Sequence, residues 1–304
     1  MAHLFGPVNS RRLGRSLGVD LIPAKTCPYD CIYCEVGPTT CRTRQRLPYQ
    51  GDAILAELAA YLEKAARRPD VITLAGSGEP TLNLELGRII QGIKELTAIP
   101  VAVLTNGALL FDPEVRRALA AADLVLPSLD AAREETYRAV NRPLPELSLD
   151  LLLQGLEAFR REYRGEFRLE VMLLRGINDT ETELTLLRRI LADLAPDRIQ
   201  LNTAVRPVVE AYARPLDQAE MAAAAHFLGG PVEVIAAFDR GDITGGRSGD
   251  EDFMAMLSRR PMTAADVAQA LGMPLDEVEA RLARLTAAGR ISHNRHQDQE
   301  FYRH

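Results

Sequence analysis

Short apolar, β-branched runs alternate with longer amphipathic segments along the first two thirds of this chain. The apolar runs occupy residues 17–23, 70–76, 99–107, 123–130, 167–174 and 198–205. Segments with the apolar period of a helix lie between them, at residues 53–68, 84–96, 113–122, 150–163 and 181–194. This repeated order of strand and helix predicts a parallel sheet with helical crossovers. Residues 232–238 are a candidate for one further strand.

The polar residues that follow these runs favour a barrel over an open doubly wound sheet, although both architectures share the alternation of strands and helices. The carboxyl ends of the predicted strands carry Glu79, Thr105, Asn106, Ser128, Asp130 and Asn202. That edge of the sheet is where βα barrels build their sites. We therefore predict a partial (β/α)6 barrel of the TIM type over residues 1–238.

A smaller unit is expected after the barrel. Residues 239–252 are rich in Gly and Asp and lack an apolar period, which predicts a linker. Within residues 253–304, Thr263 and Asp266 form a capping-box pattern, and Gly272 is placed to end the same helix. Three short helices followed by two short strands predict a winged-helix-like domain.

The charge of the chain is unevenly distributed. The 304 residues have a formal net charge of −6, which argues against binding of nucleic acid by bulk electrostatics. Residues 1–50 nevertheless carry seven Lys and Arg against three Asp and Glu, a local net charge of +4. This basic segment is either a solvated face or a docking surface for an anionic ligand or an RNA backbone.

The predicted winged-helix-like domain lacks a general basic character, because residues 251–304 hold seven Arg, eight acidic residues and no Lys. Such a domain contacts RNA or DNA, or serves as a protein-docking element. No apolar stretch is long enough to cross a bilayer, and the first residues lack the apolar core of a signal peptide. We therefore expect a cytoplasmic protein without a membrane partner.

All four cysteines lie within a fifteen-residue stretch, at Cys27, Cys31, Cys34 and Cys41. A disulfide framework would distribute its cysteines over the fold, so this cluster indicates a metal. Structural zinc takes four ligands, and Cys41 would have to supply the fourth. The alternative is a [4Fe-4S] cluster held by three thiolates, which leaves one iron open for an exchangeable ligand.

The spacing C-x3-C-x2-C, with Tyr33 before the third cysteine, resembles the radical S-adenosylmethionine (radical SAM) superfamily. Residues 76–81, Gly-Ser-Gly-Glu-Pro-Thr, are similar to the glycine-rich segment of that superfamily that binds the methionine part of SAM. The resemblance implies that Cys27, Cys31 and Cys34 hold the cluster, whose open iron binds SAM. In that superfamily, electron transfer from the cluster cleaves SAM to methionine and a 5′-deoxyadenosyl radical, which abstracts hydrogen from the substrate.

The resemblance also nominates residues that bind SAM. Besides Tyr33, they are Gly76, Ser77, Gly78, Glu79, Asn106, Ser128 and Asn202, with Asp130, Glu170, Met172 and Val205 as weaker candidates. Ser128 and Asn202 are favoured among the residues of the later strands. Flavodoxin or ferredoxin is the electron donor that the resemblance implies.

Residues 5–40 and 76–83 resemble the radical SAM group related to the enzymes of wyosine synthesis, which act on a guanosine of tRNA. Those enzymes carry a second iron–sulfur cluster, for which a chain with four cysteines has too few thiolates. The pyruvate-using reaction of that group is therefore not expected here. Cys41 is interpreted as a free thiol, and Lys25 is given no role.

Two classes of function follow from these patterns. The first is a radical SAM enzyme that modifies RNA, with a small metabolite or a peptide as the alternative substrate. The second is a metal- or redox-sensing regulator whose winged helix reads DNA. The barrel argues against the regulator, because a sensor does not need six βα units with polar strand ends.

Overall fold

The computed structural model of the chain describes residues 3–10, 12–65, 67–235, 249–296 and 299–304. The strands of this part of the chain are β1 Leu4–Ser10, β2 Gly14–Val19, β3 Thr26–Cys27, β4 Cys41–Arg42, β5 Val71–Leu74, β6 Val101–Thr105, β7 Leu124–Pro127, β8 Glu166–Leu173, β9 Arg198–Thr203, β10 Val232–Val234, β11 Ser292–His296 and β12 Gln299–Arg303. The α-helices are α1 Gly51–Lys64, α2 Leu86–Leu96, α3 Pro113–Leu119, α4 Glu134–Asn141, α5 Leu149–Glu162, α6 Glu181–Leu194, α7 Gln218–Leu228, α8 Asp250–Leu257, α9 Ala264–Leu271 and α10 Leu275–Ala287.

The main sheet within these residues has eight strands in the order β1-β2-β5-β6-β7-β8-β9-β10. Every pair from β2 to β10 is parallel, and β1 is antiparallel to β2 at one edge. Ile72, Val103 and Val125 of neighbouring strands are fully buried, as expected for parallel strands that are covered on both faces. The predicted partial (β/α)6 barrel is confirmed.

The helices cover the outer face of the barrel with their apolar sides. Leu58 of α1, Ile90 of α2, Leu156 of α5 and Leu187 of α6 are fully buried in one continuous core. Each helix exposes polar residues on its opposite side, which is the pattern of an amphipathic helix on a sheet. No helix in the described part of the chain is both long enough and apolar enough to cross a membrane.

The structure contains elements that the sequence pattern did not predict. β1 was missed because Gly6 and Pro7 interrupt its alternation, and the pairing of β1 with β2 shifts register between Phe5 and Val8. An edge strand tolerates a proline and a bulge at such a position. The helix α4 was missed because it is short and mostly polar, although its Tyr137 is buried. The helix α7 was also not predicted.

The three last helices and the β11–β12 hairpin form a unit that we call the C-terminal module (residues 249–296 and 299–304). It has its own core, which includes Phe253, Val267 and Leu282. Thr263 and Asp266 form the predicted capping box of α9, and Gly272 ends this helix in the left-handed conformation. The core of the module extends to Val8 of β1, so the module packs on the barrel.

The predicted linker differs from the structure at its carboxyl end. The helix α8 begins at Asp250, so residues 250–252 are helical although they were predicted to belong to the linker. Residues 236–248, which include most of that linker and the end of the candidate strand 232–238, lie outside the described residues. The described part of that strand is the short β10.

We expect Gly155→Val to destabilise the barrel, because α5 touches the backbone that precedes α3. A Cβ at Gly155 would lie 2.5 Å from the backbone nitrogen of Phe111 and 2.7 Å from the carbonyl carbon of Leu110. Such overpacking costs about 2–3 kcal/mol in the free energy of unfolding, measured by urea denaturation. Glu157→Val, at an exposed position of the same helix, is the matched control. Equal unfolding free energies for the two variants would contradict this packing.

Candidate metal and cofactor site

A cavity of about 320 Å³ lies at the carboxyl ends of the parallel strands. The residues nominated from the sequence that line it are Cys27, Cys31, Tyr33, Cys34, Gly76, Ser77, Gly78, Glu79, Asn106, Ser128, Glu170, Met172 and Asn202. They come from loops or strand ends that are far apart in the sequence. Asp130 and Val205, the two remaining candidates, are not part of this lining.

Buried contacts with α4 and the loop after it hold the cysteine loop in place. The ring of Tyr29 packs edge-on against Tyr137 of α4, and the two hydroxyl groups lie 2.7 Å apart. The backbone N–H of Ile32 donates to the carbonyl of Val140 over 3.0 Å. Cys41, in contrast, lies on the short strand β4 and is exposed. The loop is thus shaped by protein contacts around the first three cysteines.

Each of the three cavity-lining thiols has a nitrogen donor beside its sulfur. Asn106 Nδ2 lies 3.3 Å from the sulfur of Cys27. Asn141 Nδ2 lies 3.6 Å from the sulfur of Cys31. Lys25 Nζ lies 3.8 Å from the sulfur of Cys34 and also donates to the carbonyl of Gly37. Hydrogen bonds to sulfur stabilise thiolates and tune the potential of iron–sulfur clusters.

Burial raises the pKa of the Cys27 thiol above its ordinary value, and the nearby charge of Glu79 adds to this effect. Burial also raises the pKa of Cys31. The protein alone therefore favours the neutral thiols at these positions. Thiolates here require a compensating positive charge, which a bound metal supplies.

The thiols border one cavity without converging on one point. Among the residues that the structure describes, no three or more His, Cys, Asp or Glu side chains are arranged to hold a single metal ion. A structural zinc site needs four ligands around one ion. A cubane cluster distributes its thiolates over separate iron atoms, so three thiols around one cavity fit a [4Fe-4S] cluster better than zinc.

The turn after β5, residues 76–79, has glycines where the backbone makes close contacts. A Cβ at Gly76 would lie 2.3 Å from Oδ1 of Asp20, and a Cβ at Gly78 would lie 2.4 Å from the carbonyl oxygen of Thr26. Asp20 accepts hydrogen bonds from the backbone N–H of Ser77 over 3.1 Å and from its hydroxyl over 2.8 Å. The turn is therefore pinned against the end of β2.

Glu79 is buried and stabilises the same turn through hydrogen bonds. Its Oε1 accepts hydrogen bonds from the backbone N–H of Thr81 over 3.0 Å and from the hydroxyl groups of Thr81 and Thr105, each over 2.6 Å. Its Oε2 accepts a hydrogen bond from the backbone N–H of Asn106 over 2.8 Å. A carboxylate oxygen can accept more than one hydrogen bond, so Oε2 can accept another. Burial raises the pKa of this carboxyl, and the surrounding donors oppose the shift.

An arginine that was not nominated from the sequence also lines this cavity. Arg12, in the β1–β2 turn, makes an ion pair with Glu170 of β8, with Nη1 2.8 Å from Oε2. Asn202 donates from Nδ2 to Oε1 of Glu170 over 3.0 Å. The position of Arg12 in the basic segment of the sequence was a signal for it, but its partner was not predictable from the local pattern.

Asp130 lies behind Tyr33, where it positions other residues. Its Oδ2 accepts hydrogen bonds from the hydroxyl of Tyr33 over 2.5 Å and from Nδ2 of Asn141 over 2.7 Å. Its Oδ1 accepts the backbone N–H of Met172 over 2.9 Å. Burial raises the pKa of Asp130 to about 6, although its hydrogen bonds lower it.

A sequence model of the radical SAM superfamily matches residues 21–188, more than half of the chain. This match spans the cysteine loop, the turn after β5 and the ends of β6 to β8. The chain belongs to the radical SAM superfamily. Its members are enzymes that use a [4Fe-4S] cluster and SAM, and this radical SAM chain is therefore an enzyme of that class with these cofactors.

Relatives in other organisms share most of this radical SAM chain. The UPF0026 protein of Methanocaldococcus jannaschii is 34% identical over 269 residues, which are 86% of this chain and 84% of that protein. A protein of Brachyspira hyodysenteriae named GTPase Obg is 39% identical over 293 residues, which are 95% of this chain. The chain spans only 43% of the length of that second relative.

Solved structures share the fold. A radical SAM methyltransferase from Sphaerobacter thermophilus superposes with a TM-score of 0.59 at 19% identity, over 85% of this chain and 69% of that one. TYW1 with a lysine-pyruvate adduct bound superposes with a TM-score of 0.54 at 19% identity, over 74% of this chain and 75% of that one. These likenesses support the partial barrel of the radical SAM enzymes.

We expect Asn178→Ala to destabilise the radical SAM barrel next to the site. Asn178 is fully buried, and Nδ2 donates to the carbonyls of Asp130 and Met172, each over 2.7 Å, while Oδ1 accepts the N–H of Leu174 over 2.7 Å. Loss of these contacts leaves buried backbone groups unsatisfied and costs about 2–3 kcal/mol.

Chemical denaturation of the cluster-free protein measures this cost. Asn294→Ala, on the exposed strand β11, is the control and should change the free energy of unfolding by less than about 0.5 kcal/mol. If Asn178→Ala lowers the free energy of unfolding as little as the control does, the hydrogen bonds of Asn178 do not stabilise the barrel.

Proposed function

We propose that Cys27, Cys31 and Cys34 each bind one iron of a [4Fe-4S] cluster and that the fourth iron is open to SAM. One observation carries this proposal: the three thiols and the glycine-rich turn at residues 76–79 line the same cavity at the carboxyl ends of neighbouring strands. The nitrogen donor beside each sulfur supports thiolate ligands at these positions. When bound, the cluster and SAM supply reductive cleavage of SAM to methionine and a 5′-deoxyadenosyl radical.

The residues proposed to bind SAM follow from the cavity walls. The turn at residues 76–79 offers its backbone to the methionine part, and Oε2 of Glu79 can accept a hydrogen bond from an ammonium group. Tyr33, Asn106, Ser128 and Asn202 line the remaining wall. Asp130 and Glu170 hold Tyr33 and Asn202 in place, so these two acids are proposed to orient the wall.

We propose that the substrate is an RNA, with tRNA as the first candidate. The basic residues 1–50 surround the cysteines in the sequence, and the C-terminal module has the element order expected of a winged helix. A cavity of about 260 Å³ lies between Cys34 and Gly37 of the cysteine loop and His293, Asn294 and Arg303 of the β11–β12 hairpin. An RNA bound by this hairpin would thus lie beside the proposed cluster.

A small metabolite or a peptide is the second candidate substrate. A cavity of about 300 Å³ adjoins the cavity of about 320 Å³ that the cysteines line. Arg12, Gly76 and Arg206 line both of them. Met256, Met262 and Gln269 of the C-terminal module line the other side of the smaller one. Its volume lies at the lower end of the range for small-molecule pockets, and it also suits a single base extruded from an RNA.

The electron donor and the location of the protein belong to the same proposal. Flavodoxin or ferredoxin is the proposed source of the electron, and the cytoplasm is the compartment proposed from the sequence. Membership of the radical SAM superfamily and the site at the strand ends both indicate an enzyme and argue against a regulator.

The proposed ligands are tested by anaerobic reconstitution with iron and sulfide, comparing the parent with the triple variant Cys27→Ala, Cys31→Ala, Cys34→Ala. Cys41→Ala is the matched control, because this thiol is exposed and outside the cavity lining. We expect about four irons per chain in the parent and the control and none in the triple variant.

With SAM and dithionite, the parent and the control should release 5′-deoxyadenosine, and the triple variant should not. A bound zinc ion with intact SAM, or loss of iron in the Cys41 variant, would overturn this assignment of the ligands.

The RNA proposal predicts that unmodified tRNA accelerates the formation of 5′-deoxyadenosine by the reconstituted protein, by about tenfold or more. The same tRNA digested to nucleosides is the control. Arg295→Glu, on β11, should weaken the effect of intact tRNA, because it reverses a charge on the proposed RNA-binding hairpin. Acceleration by the digest equal to that by intact tRNA would favour the small-metabolite alternative.

A further inference from the structure

Arginines connect the C-terminal module with the two loops of the proposed site, the cysteine loop and the turn at residues 76–79. Arg259 and Arg260 follow α8, and Arg206 follows β9. Their ion-pair partners include Asp20, which pins the turn at residues 76–79, and Glu35, which follows Cys34. These contacts connect residues that are far apart in the sequence and belong to different units of the fold.

A single side chain, that of Asp20, connects Arg259 to the turn proposed to bind SAM. Its Nε is 3.5 Å from Oδ2 of Asp20, and the two side chains are only 14% and 13% exposed. The same Oδ2 accepts the hydroxyl of Ser77 over 2.8 Å, and Oδ1 accepts the N–H of Ser77 over 3.1 Å. Arg259, Asp20 and Ser77 therefore form a continuous polar chain from the module to the turn.

The guanidinium of Arg259 is held in place on its other sides. Its central carbon lies 4.4 Å from the centre of the Phe5 ring, a cation–π contact. Its Nη1 donates to the carbonyl of Ala255 over 2.7 Å. Phe5 in turn packs on Gly18 of β2, where any side chain would collide with the ring. Arg259 is thus aimed at Asp20 by contacts from the module and from β1.

Two cavities border Arg259. A cavity of about 670 Å³ is lined by Asp20, Ser77 and Arg259, and the cavity of about 300 Å³ is lined by Gly76 and Arg259. Arg259 therefore borders both cavities, and Asp20 borders the larger one. Burial lowers the pKa of Arg259, and the nearby charge of Asp20 opposes this effect.

A second connection reaches the cysteine loop. Nη1 of Arg206 lies 3.2 and 3.3 Å from the two carboxylate oxygens of Glu35. Its Nε lies 3.7 Å from Oδ2 of Asp266, which forms the capping box of α9 together with Thr263. Arg206 thus joins α9 to the loop that carries the thiols. Docking of the module involves both loops of the site.

We propose that Arg259 is a positioning residue for SAM: it holds Asp20 so that the Gly76–Ser77 backbone keeps the conformation that binds SAM. The affinity of the barrel for SAM then depends on docking of the C-terminal module, and SAM reciprocally stabilises the docked module. This inference rests on the proposed function, because it assumes that the turn at residues 76–79 binds SAM.

The test compares Arg259→Met, which keeps the aliphatic stem and removes the charge, with the conservative Arg259→Lys. Arg284→Met is the matched control, because Arg284 lies in the same module and pairs with Asp250 of that module, away from the barrel. The first measurement is hydrogen–deuterium exchange of the peptide that contains Ser77 in the cluster-free protein. The second is the dissociation constant for SAM of the reconstituted protein.

We expect faster exchange at Ser77 and about tenfold weaker SAM binding in Arg259→Met, within the usual range of coupling between sites. Arg259→Lys should recover most of the affinity, and Arg284→Met should match the parent. Iron content should be equal in all four proteins, because Arg259 does not touch the cysteines.

Parent values of exchange and SAM affinity in Arg259→Met would overturn the proposal, as would equal changes in Arg284→Met. If Arg259→Met does not fold, Arg259→Lys is measured together with Asp20→Asn, which removes the negative charge of the pair. Parent-like values in Arg259→Lys and a loss in Asp20→Asn support the pair, and no loss in Asp20→Asn refutes it. A parent protein that binds cluster but no SAM would instead contradict the proposed function, while the exchange measurement would still test the coupling.

Discussion

Parallel pairing of the strands from β2 to β9 is the constraint on which the site depends. Parallel strands place all their carboxyl ends at one edge of the sheet, so the loops that follow them meet there. The cysteine loop, the turn at residues 76–79 and Asn202 are therefore neighbours in space, although they are far apart in the sequence. Hydrogen bonds between neighbouring strands and burial of the apolar strand residues together maintain this alignment.

Carboxylates inside the protein hold the loops in shape. Asp20, Glu79 and Asp130 each accept a backbone N–H together with side-chain donors. A loop lacks the repeating hydrogen bonds of a sheet, so its buried N–H groups need other acceptors. A charged acceptor makes the stronger hydrogen bond. The walls of the cavity are thus ordered by the protein itself, which is the preorganisation that a cofactor site requires.

Much of the fold was predictable because its elements are locally encoded. The helix α6 has the limits that its apolar period predicts, and the capping box of Thr263 and Asp266 is present. The edge strand β1 was not predictable, since Gly6 and Pro7 hide its alternation and its partner stabilises it. The helix α4 depends in the same way on the buried contact of Tyr137 with Tyr29. Local pattern fails where tertiary contacts supply the stability.

Local sequence pattern is enough to predict the type of most elements, the three-thiol loop and the glycine-rich turn, because these features depend on residues a few positions apart. Which charges meet depends instead on the folded chain, which pairs Arg12 with Glu170, Arg206 with Glu35, and Arg259 with Asp20. An arginine has many acidic residues as potential partners along a chain. Packing selects one of them, because a charge that is removed from water is stable only beside the partner that the fold brings to it.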